Sequence, residues 1–99
     1  MTLADVLDEA ASELGAVDRR EGTGGVEYLA GGQPFAALAG DTAEFRLEPG
    51  VARAALGTPD AMPSRRGPDW VAFRPQELDR FALDRATAWF LSAGRRARG

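Results

Sequence analysis

The chain has 99 residues, with twelve basic and fifteen acidic side chains and a formal net charge of −3. This length fits one small domain, and an acidic chain has no general attraction for nucleic acid or anionic lipid. Cysteine, histidine and lysine are all absent, which removes disulfides, thiolate and imidazole metal ligands, the usual general base and Schiff-base chemistry. We therefore expect a protein that is not an enzyme and that needs no cofactor and no metal.

Charge is distributed unevenly along the chain. Residues 1–49 carry ten acids against three arginines, a net of −7, whereas residues 50–99 carry nine arginines against five acids, a net of +4. No apolar run approaches the ~20 residues that cross a bilayer, and the acidic start does not resemble a signal peptide. The sequence therefore predicts a cytoplasmic protein that does not associate with membranes.

The first predicted element is an amphipathic helix over about residues 2–17, with Gly15 as an alternative, earlier end. Its apolar residues recur at the spacing of one helical face, and Thr2 followed by Asp5 three residues later suits a helix N-terminus. The polar, glycine-rich residues 18–25 are predicted to form a loop.

Three strand-like segments follow, separated by short turns that contain glycine. They cover residues 26–30, 33–39 and 42–47. The pairs Gly31-Gly32 and Gly40-Asp41 favour tight hairpins, because glycine accepts a positive φ without a Cβ clash. In the third segment apolar residues alternate with charged ones, so one face is buried and the other is wet. The prediction is a three-stranded antiparallel meander.

The second half begins with a short helix from Pro49 that ends before Gly57, because proline suits the first helical turn and glycine a helix end. An irregular, proline-bearing segment, a fourth strand, a helical region in one or two pieces and a frayed tail follow. They cover residues 57–69, 70–73, 75–96 and 94–99. The whole of residues 1–99 is thus predicted to be one α+β domain of two layers, in which an antiparallel sheet packs against N- and C-terminal helices.

Short motifs in this pattern resemble those of the MmcQ/YjbR family. They are residues 31–38 (GGQPFAAL), 44–47 (EFRL) and 69–73 (DWVAF). The resemblance covers most of the chain and implies an α+β fold similar to CyaY-like and secretion-chaperone-like domains. The family is often labelled DNA-binding. Around the strand before the tryptophan it often carries lysine or histidine, where this chain offers only Arg65 and Arg66.

Four residues around the fourth strand are candidates for nucleic-acid binding. They are Arg65, Arg66, Trp70 and Arg74. Arginines beside an aromatic ring can hold phosphates while the ring stacks on a base. The alternative is a solvated loop next to an ordinary core tryptophan, and the sequence leaves both interpretations open.

Two further charged clusters have structural explanations. Arg95, Arg96 and Arg98 could contact phosphate or an acidic partner, but cations also offset the negative end of a helix. Four acids of the first helix lack the glycine-bearing loop of a calcium site, so we interpret them as a solvated helix face. They are Asp5, Asp8, Glu9 and Glu13.

Two functional hypotheses follow. The first is a small nucleic-acid-binding protein that contacts DNA through the arginine-bearing loop. The second is an acidic protein-interaction or chaperone-like module that does not bind DNA. A sheet with helices on one face leaves the other face and two edges open, so a protein partner or a homodimer is also expected.

Overall fold

Three helices and six strands make up the computed structural model of the protein, which describes residues 1–99. In chain order they are α1 (Leu3–Leu14), β1 (Asp18–Gly22), β2 (Gly25–Ala30), β3 (Gln33–Ala39), β4 (Thr42–Arg46), α2 (Pro49–Leu56), β5 (Ala61–Pro63), β6 (Trp70–Phe73) and α3 (Arg80–Arg98). The strands form one antiparallel sheet in the order β1-β2-β3-β4-β6-β5. The predicted α+β class, with an antiparallel sheet and N- and C-terminal helices, is confirmed.

The helix ends follow their capping residues. Thr2 and Asp5 form a reciprocal capping box at the start of α1, and the helix ends at Leu14 because Gly15 takes a φ of +76°. Of the two predicted ends, the earlier one at Gly15 is therefore confirmed, and the extension to residue 17 is wrong. The last helix begins only after Asp79, whose side chain accepts a hydrogen bond from the amide of Ala82.

The last helix also runs further than the sequence indicates. It has no break at Leu83 and continues through Arg98, across the segment 94–99 for which fraying is predicted. Arg98 donates hydrogen bonds to the carbonyl oxygens of Leu14 and Gly15. These contacts tie the end of α3 to the end of α1, which supplies a reason for helical order in the tail.

The helices cover one face of the sheet, and this face carries the core. Strand residues alternate between the two faces, so Tyr28, Ala36, Phe45 and Val71 are neighbours in the register on the core side. All four side chains are fully or almost fully buried, and they belong to the single large core cluster. The opposite side of the sheet, which we call the open face, has no helix against it.

A β-bulge decides which way Phe35 points. Tyr28 pairs with Ala36 but Leu29 pairs with Pro34, so Phe35 is an extra residue on β3. Phe35 and Ala36 are therefore both buried in the core, and Phe35 contacts the core aromatic Phe90. The sequence alone does not indicate this irregularity.

Two segments predicted to be irregular are strands at the edges of the sheet. Most of the predicted loop 18–25 is β1 with its turn into β2, and the segment 57–69 contains the three-residue β5. Both were missed because their sequences carry no apolar alternation: β1 reads DRREG and is exposed throughout. Charge on one edge, and shortness with a proline on the other, oppose pairing with further strands. None of the three helices is both long and apolar enough to span a bilayer.

Candidate functional site on the open face

A row of charged, small and apolar side chains crosses the open face of the sheet. Its members are successive register partners on all six strands: Arg20, Glu27, Ala37, Glu44, Ala72 and Met62. Ala37 and Ala72 are buried although they lie outside the core cluster. Something other than a helix therefore covers the middle of this face.

The cover includes Arg66, which extends from the loop between β5 and β6. Its Nε donates to Oε1 of Glu44 at 3.0 Å, and its Nη1 donates to Oε2 of Glu27 at 2.9 Å. Because Ala37 separates these two glutamates in the register, the guanidinium bridges β2 and β4 across β3. Arg20 binds the remaining oxygen of Glu27 through Nη2 at 2.6 Å. We call Arg20, Glu27, Arg66 and Glu44 the charge row.

Trp70 forms one wall of this site. The Cζ atom of Arg66 lies 5.2 Å from the centroid of the indole ring, a cation–π distance. Trp70 is half-buried and is the register partner of Arg46 on the open face. The arginine is thus held by two carboxylates and one aromatic face, the set of groups that recognises a guanidinium.

Residues 64–69, which we call the loop, are held in place by their own hydrogen bonds. Ser64 donates its hydroxyl to Oε2 of Glu44 and accepts the amide N–H of Arg66 at 3.1 Å. The amide of Trp70 donates to the carbonyl of Gly67 at 3.2 Å. Gly67 has a φ of +156°, and a Cβ there would lie 3.4 Å from the indole ring. The backbone thus presents Arg66 and Trp70 side by side.

Electrostatic contacts shift two pKa values in the charge row. Hydrogen bonds from Arg20 and then from Arg66 hold the pKa of Glu27 below its ordinary value. Desolvation acts to lower the pKa of Arg66, but hydrogen bonds to Glu27 and Glu44 outweigh it and raise that pKa. Both shifts favour the charged forms of Glu27 and Arg66. The formal charges of the two arginines and two glutamates cancel within the row.

The lowered pKa of Glu27 predicts a pH-dependent contribution to stability. This contribution is complete above the ordinary carboxyl pKa and is lost as the pH falls through the lower, folded-state value. We expect Glu27→Gln to cost about 1 kcal/mol at pH 7, and this difference from the wild type to vanish between about pH 5 and pH 3. Urea unfolding across that range checks it, with Glu9→Gln on the exposed side of α1 as control. A difference that does not change with pH contradicts the prediction.

The structure brings together three of the four predicted nucleic-acid contacts. Arg65, Arg66 and Trp70 share the loop or its end, and Arg65 is exposed, with no ion pair. Arg74 instead follows the opposite end of β6 and pairs with Asp41 at 3.2 Å. Of the three arginines in this set, only Arg65 has no carboxylate partner.

The other charged clusters are mostly occupied by internal contacts. Arg96 binds Asp69 and the carbonyl of Leu47, whereas Arg95 is exposed and unpaired. On α1, Asp8 accepts the hydroxyl of Tyr28 at 2.7 Å. Burial, followed by this hydrogen bond, raises the pKa of Tyr28 to about 12. No group of three acidic side chains is arranged to hold a metal ion.

Sequence reasoning did not identify Glu27 and Glu44 as parts of a site. Apolar alternation in β4 places Glu44 on the solvent-exposed face of the sheet, so the position of this one glutamate can be predicted from the sequence. Glu27, however, meets Arg66 across 39 residues of chain. No local pattern connects residues so far apart.

Comparisons of the chain with protein-family models, with curated proteins and with solved structures gave no significant match. The relation to the MmcQ/YjbR family, which the motifs imply, therefore stays a proposal. The functional proposal below is based on the charge row, Trp70 and the loop.

Proposed function

We propose that this protein is a protein-interaction module whose open face binds an arginine side chain of a partner protein. The observation that carries the proposal is the seating of Arg66 between Glu27 and Glu44 beside Trp70. The same three groups would bind a guanidinium from another chain in the same way. Arg66 is then the resident occupant that a partner replaces.

Charge favours a basic partner over a polyanion. A nucleic acid needs unpaired cations, whereas Arg20 and Arg66 are both neutralised by glutamates. The whole chain carries a net charge of −3, which attracts basic segments and repels phosphate. An arginine that replaces Arg66 leaves neither carboxylate unpaired, so the exchange avoids the cost of a bare partly buried charge.

The site can be reached from solvent. The side chains of Arg66, Glu27 and Glu44 are 36%, 27% and 21% exposed. Concavities of about 380 Å³ and 470 Å³ lie on the two sides of Arg66, the first toward the β1–β2 turn and the second toward β5. A partner segment can therefore occupy space next to the guanidinium site.

A second candidate function is nucleic-acid binding through the loop. The observation in its favour is that Arg65, which has no carboxylate partner, lies beside Arg66 and the half-buried Trp70. This arrangement offers one free cation and one aromatic face. The first function needs Glu27 and Glu44, whereas the second needs Arg65, so variants separate the two.

The test is a titration of a labelled peptide in which arginines are separated by glycine and serine. We expect weak binding to the wild type and binding several-fold tighter to Arg66→Gln, because the resident arginine competes at an effective concentration on the order of mM. Adding Glu44→Gln to that variant should abolish the gain. Fluorescence anisotropy measures each affinity, and a peptide with glutamines in place of arginines is the matched ligand control.

Exposed carboxylates elsewhere supply the protein control. Glu9→Gln on α1 removes the same charge without touching the site, so it should leave peptide binding unchanged. Absence of peptide binding to both the wild type and Arg66→Gln would refute the proposal. Salt-sensitive binding of a DNA duplex that weakens in Arg65→Gln would support the second candidate instead.

We also propose that the chain is a distant relative of the MmcQ/YjbR family. The three motifs noted above support this relationship, since they lie on β3 with its preceding turn, on β4 and on β6. The family's DNA-binding label is a fold-level analogy and assigns no residue here. A cytoplasmic location is part of the same proposal.

A further inference from the structure

A separate cavity of about 260 Å³ lies at the end of the sheet, where β3 begins and β4 ends, beside the last turns of α3. It is bordered by the beginning of β3, the end of β4 and the side of the helix that faces them. Its lining residues are Gln33, Phe35, Arg46, Ala93, Arg96 and Ala97. None of them belongs to the charge row or to the loop.

The charged side chains that line this cavity are all cationic. Four other concavities in the protein each include at least one carboxylate, whereas this one is lined by two arginines and no acid. This local excess of positive charge contrasts with the net charge of −3 of the whole chain. It favours a ligand with a negative charge.

The two arginines differ in how they are held. Arg96 donates from Nη1 to the carbonyl of Leu47 at 3.0 Å and from Nη2 to Asp69 at 3.1 Å. These bonds fix its position and leave most of its five N–H donors unused. Asp69 balances the charge of Arg96 but does not line the cavity.

Arg46 supplies the uncompensated charge. It is half-buried at the end of β4 and takes part in no ion pair. Its guanidinium is therefore available for charge-assisted hydrogen bonds to an anionic ligand. The local net charge at the cavity is therefore positive. The negative end of the α3 helix dipole does not cancel this charge, because three arginines in the last turn of the helix offset it.

The remaining lining is suited to the apolar part of an organic molecule. Phe35, Ala93 and Ala97 contribute carbon surface, and Gln33 contributes an amide that can donate or accept. A cavity of this size is slightly smaller than sites for drug-sized ligands, so it admits a molecule with few atoms. We propose that it binds a small organic anion, a carboxylate or phosphate monoester with one apolar group.

The experiment titrates benzoate and phenyl phosphate into the isotopically labelled wild-type protein and follows backbone amide shifts by NMR. We expect saturable changes in the amide chemical shifts of Gln33, Ala93 and Ala97. Benzamide, the uncharged analogue of benzoate, should cause none of these changes. The anion that binds with the higher affinity shows whether the site prefers a carboxylate or a phosphate. Arg46→Gln should weaken that binding at least tenfold, since hydrogen bonds to charged groups are the strong ones.

Arg53→Gln on α2 is the matched control, because Arg53 is another arginine without an ion pair but lies outside the cavity. It should bind the anions as the wild type does. Absence of shifts with both anions would overturn the proposal, as would equal shifts with benzamide or unchanged affinity in Arg46→Gln. Arg96 is left intact in all variants because its bonds to Leu47 and Asp69 support the fold.

Discussion

Phe90→Ala is expected to lower the free energy of unfolding by about 3–5 kcal/mol. Phe90 on α3 is completely buried, and its ring meets Tyr28 and Phe35 edge-on at centroid distances of 5.1 Å and 5.0 Å. Truncation removes both aromatic contacts and leaves a cavity between the helix and the sheet. Domains of this size are stable by about 5–15 kcal/mol, so the variant is expected to lose a large part of its stability.

Urea denaturation followed by tryptophan fluorescence measures this loss. Phe81→Ala is the matched control, because Phe81 is the same residue type on the same helix but is 72% exposed. It should change stability by no more than about 0.5 kcal/mol. Similar losses in the two variants would mean that the aromatic cluster does not anchor α3 to the sheet.

Gly25→Ala is expected to destabilise the protein by more than about 2 kcal/mol. Gly25 has a φ of +130°, and a Cβ there would lie 2.2 Å from the carbonyl oxygen of Leu38 and 3.1 Å from Cα of Ala39. Both obstacles are backbone, so no side-chain rotation relieves them. Because Gly25 begins β2, the necessary shift would also disturb the pairing of β2 with β3.

Gly24→Ala tests this explanation within the same turn. A Cβ on Gly24 meets nothing within 4 Å, and its φ lies outside the range that L-residues avoid. We therefore expect a change below about 0.5 kcal/mol. Equal effects at the two positions would indicate a general sensitivity of the turn rather than a steric conflict at Gly25.

Disturbance at Gly25 should also reach the open face. Glu27 follows two residues later, and Arg20 pairs with it across the β1–β2 hairpin. Gly25→Ala should therefore weaken binding of the arginine peptide to the Arg66→Gln variant, whereas Gly24→Ala should not. A steric conflict at Gly25 is thus expected to affect both the hairpin and the proposed site.

Local sequence patterns account for the central part of the fold. The Gly31-Gly32 and Gly40-Asp41 turns lie where the structure has turns between β2, β3 and β4. Apolar alternation around Phe45 correctly places that side chain in the core. These features depend on residues within a few positions of each other, where steric and hydrophobic preferences act directly.

The edges of the sheet and the bulge at Phe35 depend on more distant residues. β1 consists largely of charged side chains, and it becomes a strand only because β2 presents a row of unpaired backbone groups beside it. Phe35 is buried with Ala36 because the register shifts between Tyr28 and Leu29. Neither outcome follows from the propensities of the segments themselves.

Local sequence patterns predict the α+β class and the three-stranded meander, and they indicate Arg65, Arg66 and Trp70 as candidate contacts. The tertiary structure, in contrast, places Arg66 between Glu27 and Glu44, pairs Arg74 with Asp41, and brings Arg46 and Arg96 to one cavity. The physical reason is that local patterns specify which residues are buried within an element. Which charges meet depends on the register and order of strands brought together from distant parts of the chain.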